Sequence, residues 1–332
     1  MPLVSVIMPC YNTEEMYFKN AVSSILAQTM TDFELIIIDD ASLPYIQEIA
    51  NSFLHDKRIV YHRFSQNKQA PAARNFGISI AKGKYIAFLD SDDSAHPERL
   101  QKQVDFLENN PQIGVLASKV AINNSTSIPF SFKYLETHNT IRNQLIFKNN
   151  ILCQSSIMLR KNLLTDNNIF YETDLAPIED YALWLSLLNH TQFHILNEEL
   201  TTYNFYAENL SNRNVHKNII KNFALQFDTI NALLGNKLAY KDKWLKICQN
   251  QLLSKDDFNN INQNLREVSS FLEKETILPR DGMYIFKNCY KFLYKNTLNL
   301  SGQLFLFFLP INKTLRIPFY WKISSLITRG LF

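Results

Sequence analysis

Short apolar runs alternate with helical periodicity along the first third of the chain. Residues 4–8 are β-branched or apolar apart from one serine, as in a strand buried on both faces. Residues 34–39 and 85–89 read the same way, and residues 58–63 form a further strand. Between the first two runs, Phe18, Val22, Ile25 and Leu26 recur at helical spacing within 14–28. Helices are likewise predicted over 45–54 and 70–81. This alternation builds βαβ units, and hence a parallel sheet with helices on both faces. Ligands of such sheets bind beyond the carboxyl ends of the strands. Polar residues gather at those ends: Pro9-Cys10-Tyr11-Asn12 after the first strand, Asp39-Asp40 after the second, and Asp90-Ser91-Asp92-Asp93 after the fourth.

From about residue 113 the alternation loosens. Residues 115–122 and 155–159 read as strands, 178–189 as a short apolar helix, and 192–206 as one or two strands. Beyond 215 the pattern is helical to the end. The division expected is therefore 1–214, with halves 1–112 and 113–214, followed by a helical region over 215–332. No internal repeat is visible.

Composition narrows the classes. A hydrophobic content of 46% excludes bulk disorder, and a net charge of +3 gives no reason to expect nucleic acid as a partner. The four cysteines, at 10, 153, 248 and 289, have no paired spacing, so reduced thiols are expected rather than disulfides or a zinc site. The start Met1-Pro2-Leu3-Val4 lacks the features of a signal peptide, and no apolar run reaches the roughly 18 residues of a membrane span. A cytoplasmic protein is expected.

The acidic cluster carries the chemistry. Asp90, Asp92 and Asp93 lie within four positions. Carboxylates this close repel one another unless a cation or hydrogen-bond donors compensate. A hard divalent ion, Mn2+ or Mg2+, suits oxygen ligands and takes substrate phosphates as further ligands. The competing reading is structural: Asp93 or Ser94 as the cap of a helix starting near Pro97.

Four segments, taken in order, change the balance. They are residues 4–12, ending Pro9-Cys10-Tyr11-Asn12; Ile38-Asp39-Asp40-Ala41-Ser42; Ala72-Ala73-Arg74-Asn75-Phe76-Gly77 leading into Leu89-Asp90-Ser91-Asp92-Asp93; and Glu179-Asp180-Tyr181-Ala182-Leu183-Trp184. Over about residues 3–211 the chain resembles the family 2 glycosyltransferases. The resemblance implies the GT-A fold, a Rossmann-like mixed sheet flanked by helices, here with a helical C-terminal extension. It also implies an inverting transfer from a UDP-sugar. Pro9, Tyr11 and Asn12 would line base and ribose, Asp39 would accept from the uracil N–H, and Arg74 would face the diphosphate. Asn67, Ala72 and Ser91 would complete the donor contacts. Asp92 would be the principal metal ligand, with Asp90 on ribose or metal. Asp180 would be the general base, with Glu179 as the fallback. A helix N-terminus would lower the pKa of Asp180, partly offset by burial against Trp184. Where many members carry a Tyr-Arg-x-His segment, this chain has Tyr203-Asn204-Phe205-Tyr206, so the expected histidine ligand is missing.

Residues 280–332 carry eight basic side chains against the single acid Asp281, a net +7 interleaved with aromatics. Such a segment suits an anionic membrane surface, and equally a helical subdomain packed on the core. The first option fits a peripheral protein at the inner face of the plasma membrane, acting on a saccharide or a lipid-linked glycan acceptor of lipopolysaccharide, O-antigen or capsule. Two other enzyme classes lack their phosphate loops: no glycine-rich turn follows the first strand, and no GxGxxG occurs. A non-catalytic membrane-associated protein that keeps the nucleotide-sugar fold is the remaining alternative. The intact Arg74, Asp92 and Asp180 oppose it.

Overall fold

The computed structural model describes residues 1–124, 137–146, 149, 151–206, 215–233, 241–242, 260 and 263. The chain divides into two compact units, Met1–Asn218 and Ile219–Phe332. In chain order the first unit contains β1 (Val4–Cys10), α1 (Glu15–Leu26), β2 (Phe33–Asp39), α2 (Pro44–Phe53), β3 (Ile59–Arg63), α3 (Gln69–Ile80) and β4 (Tyr85–Phe88). There follow β5 (Ser94–Ala95), α4 (Arg99–Asn109), β6 (Ile113–Asn124), α5 (His138–Leu145), β7 (Met158–Arg160), α6 (Lys161–Thr165), α7 (Glu179–Leu187) and β8 (Gln192–Phe205). α8 (Val215–Leu233) runs across the boundary into the second unit.

One eight-stranded sheet carries the order β3-β2-β1-β4-β7-β6-β8-β5. The first four in that row are parallel, as the βαβ pattern predicts. β7 runs antiparallel to β4 and β6, β6 and β8 are parallel, and β5 is antiparallel to β8, so the whole sheet is mixed. Every residue of β1 and β2 is buried, which explains their unbroken apolar runs. Pro9 is tolerated in this central strand because the β4 ladder ends opposite Ile7, so no partner there needs its missing N–H. The chain leaves β1 toward β2 on one side and returns as β4 on the other. The β1/β4 seam is thus a switch point, and the ends of β1, β2 and β4 open onto one crevice.

Several elements differ from expectation. Helix α4 starts at Arg99 with no side-chain cap. Asp93 instead accepts from the Asn204 N–H, and Ser94 pairs in β5, so the capping reading of this pair is wrong. The 155–159 strand begins with a 3-10 turn, Gln154–Ser156, where the Ser156 hydroxyl bonds the Cys153 carbonyl and draws the backbone out of the ladder. β5, α5 and α6 are too short to leave a periodic signature. Residues 192–206 form one strand, its register against β6 shifted around Ser118 and Lys119. Among the described residues no helix is long and apolar enough to cross a membrane. The basic, aromatic segment 280–332 lies outside the described residues.

Two contacts set the crevice. α3 packs so closely on β1 that a Cβ on Gly77 would stand 2.7 Å from Ile7 Cγ2. Beneath the β4 end, fully buried Arg99 donates through Nη2 to the Phe88 and Ile157 carbonyls at 2.9 and 3.1 Å, closing the seam between β4 and the start of β7. Burial lowers its pKa to about 10.

Gly77→Ala should therefore destabilise the protein. Overpacking costs about 1–3 kcal/mol, and improved helix propensity returns up to about 1. Urea unfolding should show a net loss. Unchanged or increased stability would mean that α3 can move off β1 freely.

Candidate active site

The loops after β1 and β2 are tied to each other and to their neighbours. The Asn12 N–H donates to Ser42 Oγ at 3.1 Å, and Asn12 Oδ1 accepts from the Leu43 N–H at 2.8 Å. Thr13 and Ser91 share a hydroxyl hydrogen bond of 2.6 Å, joining the β1 loop to the acidic loop. Asp40 accepts from the N–H groups of Lys68 and Gln69 at 2.6 and 2.8 Å, which anchors the start of α3. Asn12, Ala41 and Gln69 all sit at left-handed φ, of 50°, 59° and 70°. Such backbone is uncommon outside glycine and persists where surrounding contacts hold it, often at functional sites.

Each residue expected at the donor site can be placed against this frame. Tyr11 is 55% exposed and offers a free aromatic face at the crevice. Pro9 is buried within β1. Asp39 is fully buried and already holds three donors: the Ser42 N–H at 2.8 Å, Tyr61 Oη at 2.6 Å and Arg63 Nη1 at 2.7 Å. An ionised carboxylate has about four acceptor sites, so one remains for a ligand N–H. Exposed Asn67 reaches the Asp40 carbonyl at 3.3 Å. Ala72 lines a cavity of about 530 Å3 with His62, Phe64, Lys68, Phe76 and Thr173 among its walls.

The acidic loop is held from several sides. Asp90 donates its N–H to Ser155 Oγ at 3.0 Å, and its carbonyl accepts from the Asp93 N–H at 3.1 Å. Asn204, near the end of β8, donates its N–H to Asp93 Oδ1 at 2.9 Å and its side-chain amide to the Asp92 carbonyl at 2.6 Å. The hydroxyl of Tyr206 donates to Asp92 Oδ2, and the Tyr206 ring stacks on Tyr17 with centroids 5.9 Å apart. Burial and then Asp90 raise the pKa of Asp92. Burial, then Asp92 and Asp90, push Asp93 well above the carboxylate range. Full ionisation of the loop's acids is thus disfavoured unless positive charge is brought to them. Among the described residues no three acids, histidines or cysteines are grouped to hold an ion unaided. An all-oxygen set of one or two carboxylates, completed by phosphate oxygens, does fit a hard divalent cation.

Arg74 joins this loop to the second carboxylate pair. Its guanidinium is 6% exposed and donates through Nη2 to Asp90 Oδ1 at 2.8 Å and through Nη1 to Glu179 Oε1 at 2.7 Å. Burial alone would lower its pKa, but Asp90 and Glu179 outweigh that and raise it. The side chain expected to face a diphosphate is thus shared between two carboxylates. The neighbouring Asn75 clamps the segment leading to Glu179: its amide donates to the Tyr171 carbonyl at 2.8 Å and accepts from the Tyr171 N–H at 2.9 Å. The Tyr171 ring lies 5.6 Å from the Arg74 guanidinium, and its hydroxyl accepts from Gln154 at 2.8 Å. Tyr171 and Arg99 lay in no motif; Asn75 and Asn204 lay within matched segments that gave them no role.

Asp180 accepts from the Tyr181 N–H at 2.7 Å, as an acid at a helix N-terminus does. Its pKa is nevertheless raised to about 7, by burial first and then by Glu179, against the pull of Arg74. The expectation of a lowered value is therefore corrected: desolvation outweighs the helix terminus.

The crevice at the β1/β4 seam thus brings together an acidic loop and a second pair of acids, bridged by one arginine. Residues 5–166 match the family described as glycosyl transferase family 2. An uncharacterized glycosyltransferase of Methanocaldococcus jannaschii is 36% identical over 206 residues, 61% of this chain and 70% of that protein. The Escherichia coli protein named UDP-Glc:alpha-D-GlcNAc-diphosphoundecaprenol beta-1,3-glucosyltransferase WfgD is 30% identical over 237 residues, 71% of this chain and 88% of its own. The solved structure of S. aureus TarS 1-349 in complex with UDP-GlcNAc shares the fold, with a TM-score of 0.65 at 19% identity over 99% of this chain and 92% of that one. The chain belongs to glycosyl transferase family 2; it is a glycosyltransferase with a GT-A fold.

Removing the guanidinium strands two carboxylates, one of them almost fully buried. Arg74→Met should cost about 3 kcal/mol in urea unfolding at neutral pH, and Arg74→Met with Glu179→Gln should recover part of it. A loss below about 0.5 kcal/mol for the single variant would show that the bridge does not hold the two segments together.

Proposed function

We propose that the chain is an inverting glycosyltransferase. It moves a hexose or N-acetylhexosamine from a UDP-sugar to a saccharide or lipid-linked saccharide during lipopolysaccharide, O-antigen or capsule assembly. The observation that carries this reading is the Arg74 bridge, which ties the acidic loop at the donor end to a carboxylate pair whose Asp180 is tuned to about 7. The printed name of WfgD supports the donor and acceptor classes, since it states UDP-Glc and a diphosphoundecaprenol-linked sugar. The net +7 of residues 280–332 fits a protein that meets such an acceptor at the cytoplasmic membrane face.

In this reading the Tyr11 ring stacks on the uracil and the remaining acceptor site of Asp39 takes the ring N–H. Pro9, Asn12, Asn67, Ala72 and Ser91 shape the rest of the donor cleft. Asp92 and Asp90 hold Mn2+ or Mg2+ together with the diphosphate, and the bound ion supplies charge neutralisation to the leaving group. Arg74, beside Asp90, adds positive charge there. Asp180 takes the proton of the acceptor hydroxyl. That oxygen bonds to the anomeric carbon while the bond to the diphosphate oxygen on the opposite face breaks. One displacement inverts the configuration, and UDP leaves with the electron pair. A carboxylate with a pKa near 7 is a stronger base than an ordinary aspartate, about half ionised at neutrality and largely ionised above it.

Three outcomes follow. With UDP-sugars, Mn2+ and a panel of saccharide acceptors, Asp92→Ala should abolish UDP release, and wild-type turnover would remove Asp92 from the metal. Asp180→Asn should keep UDP affinity within about threefold and lower kcat by at least about 100-fold; an unchanged kcat would pass the base role to Glu179. The base acts ionised, so kcat/KM should fall as pH drops through about 7. A profile flat down to pH 5 would exclude Asp180 as the titrating base.

A further inference from the structure

Asp92, assigned above as the principal metal ligand, already accepts a hydrogen bond on one of its oxygens. Tyr206, the residue standing where many relatives would carry a metal-binding histidine, donates its hydroxyl to Asp92 Oδ2. We propose that Tyr206 is a latch on Asp92. In the nucleotide-free protein the phenol holds that oxygen, and a divalent ion displaces it only together with a nucleoside diphosphate.

The latch has two supports. From one side the Tyr206 ring lies nearly parallel to Tyr17 of α1, at 14° and 5.9 Å between centroids. From the other, the Asp92 carbonyl and the neighbouring Asp93 side chain are tied to β8. The Asp92 carbonyl accepts from Asn204 Nδ2 at 2.6 Å, and Asp93 Oδ1 accepts from the Asn204 N–H at 2.9 Å. Asn204 is itself fixed through Oδ1, which accepts from Asn123 Nδ2 at 2.7 Å. These ties hold the Asp92 backbone beside the end of β8, next to Tyr206.

The competition is one of lone pairs. A phenol proton and a metal ion seek the same carboxylate oxygen, and a neutral phenol adds no charge that would favour the ion. A histidine at this position would add a ligand; the phenol instead competes for one acceptor site of the carboxylate. The other acid near the ion, Asp90, is engaged by Arg74 at 2.8 Å. Without nucleotide, an incoming ion meets one carboxylate held by a phenol and one held by a guanidinium. A diphosphate changes both terms: its oxygens complete the ion's shell, and its charge offers Arg74 another partner. Ion and nucleotide then bind with positive coupling, and by linkage each tightens the other by the same factor.

This inference rests on the metal reading of Asp92, and the experiment separates the two. Mn2+ binding is followed by loss of the free-ion EPR signal, with and without saturating UDP, in wild type, Tyr206→Phe and Tyr17→Leu. Tyr206→Phe removes the hydroxyl and keeps the stacked ring. Nucleotide-free Mn2+ should bind it about tenfold more tightly than wild type, as expected for losing a competing hydrogen bond to a charged group. UDP should then enhance binding by a correspondingly smaller factor. Tyr17→Leu, which loosens the ring without removing the hydroxyl, should shift the same quantity in the same direction by less. Unchanged or weaker nucleotide-free binding in Tyr206→Phe would overturn the latch, weaker binding marking the phenol as a ligand. If no protein binds Mn2+ at any UDP concentration, the metal reading itself fails, and the latch with it.

Discussion

The arrangement of the candidate site depends on one guanidinium shared by two carboxylates. Arg74 leaves α3 almost fully buried, with Asp90 on one nitrogen and Glu179 on another. A single lysine would serve this poorly, because an ammonium is a point charge without the planar fork that reaches two partners at once. Desolvating an arginine is expensive, and only the two anions make it tolerable. The converse also holds: Glu179 is nearly buried, and Asp90 sits in a cluster of acids that repel one another. Each charge makes the other's burial possible. Residues 16 and 105 positions away from Arg74 are thereby brought to one place.

That bridge works only because α3 is itself fixed. Asp40 holds its first N–H groups, Gly77 lets it lie against Ile7, and Asn75 clamps Tyr171 on its flank. The three devices differ in kind: a carboxylate on free helix amides, a missing side chain, and an amide matched to one residue's backbone. Together they leave α3 little freedom, so the second acid pair is held against the donor loop.

The strands and their acidic ends were legible because β1, β2 and β4 are buried throughout, and such strands must be written as apolar runs. The acids stand out at the first position where the chain leaves the core. What was not legible depends on contacts far apart in sequence. Asp180 looks like an ordinary acid at a helix start, whose pKa should fall. Only its burial beside Glu179 reverses the sign. Asn75 and Tyr171 meet across 96 positions through backbone groups, which no side-chain pattern records. Arg99 lies in no motif, yet it is fully buried under β4. Two-residue β5 is too brief for any periodicity, although its pairing with β8 helps to hold the acidic loop.

The acidic loop shows how three neighbouring carboxylates are tolerated when each is compensated differently. Asp90 is neutralised by a full positive charge, that of Arg74. Asp93 is buried so deeply, and so close to its neighbours, that its neutral form is favoured. Among the described residues Asp92 has no ion pair of its own, and it is not completely buried; a phenol hydroxyl and its backbone tie to β8 hold it. It is therefore the acid whose compensation is weakest and most easily exchanged. Replacing the guanidinium on Asp90 would strand a nearly buried Glu179, and ionising Asp93 would place a charge in the core. Exchanging the phenol on Asp92 leaves the ties of the loop backbone to β8 in place.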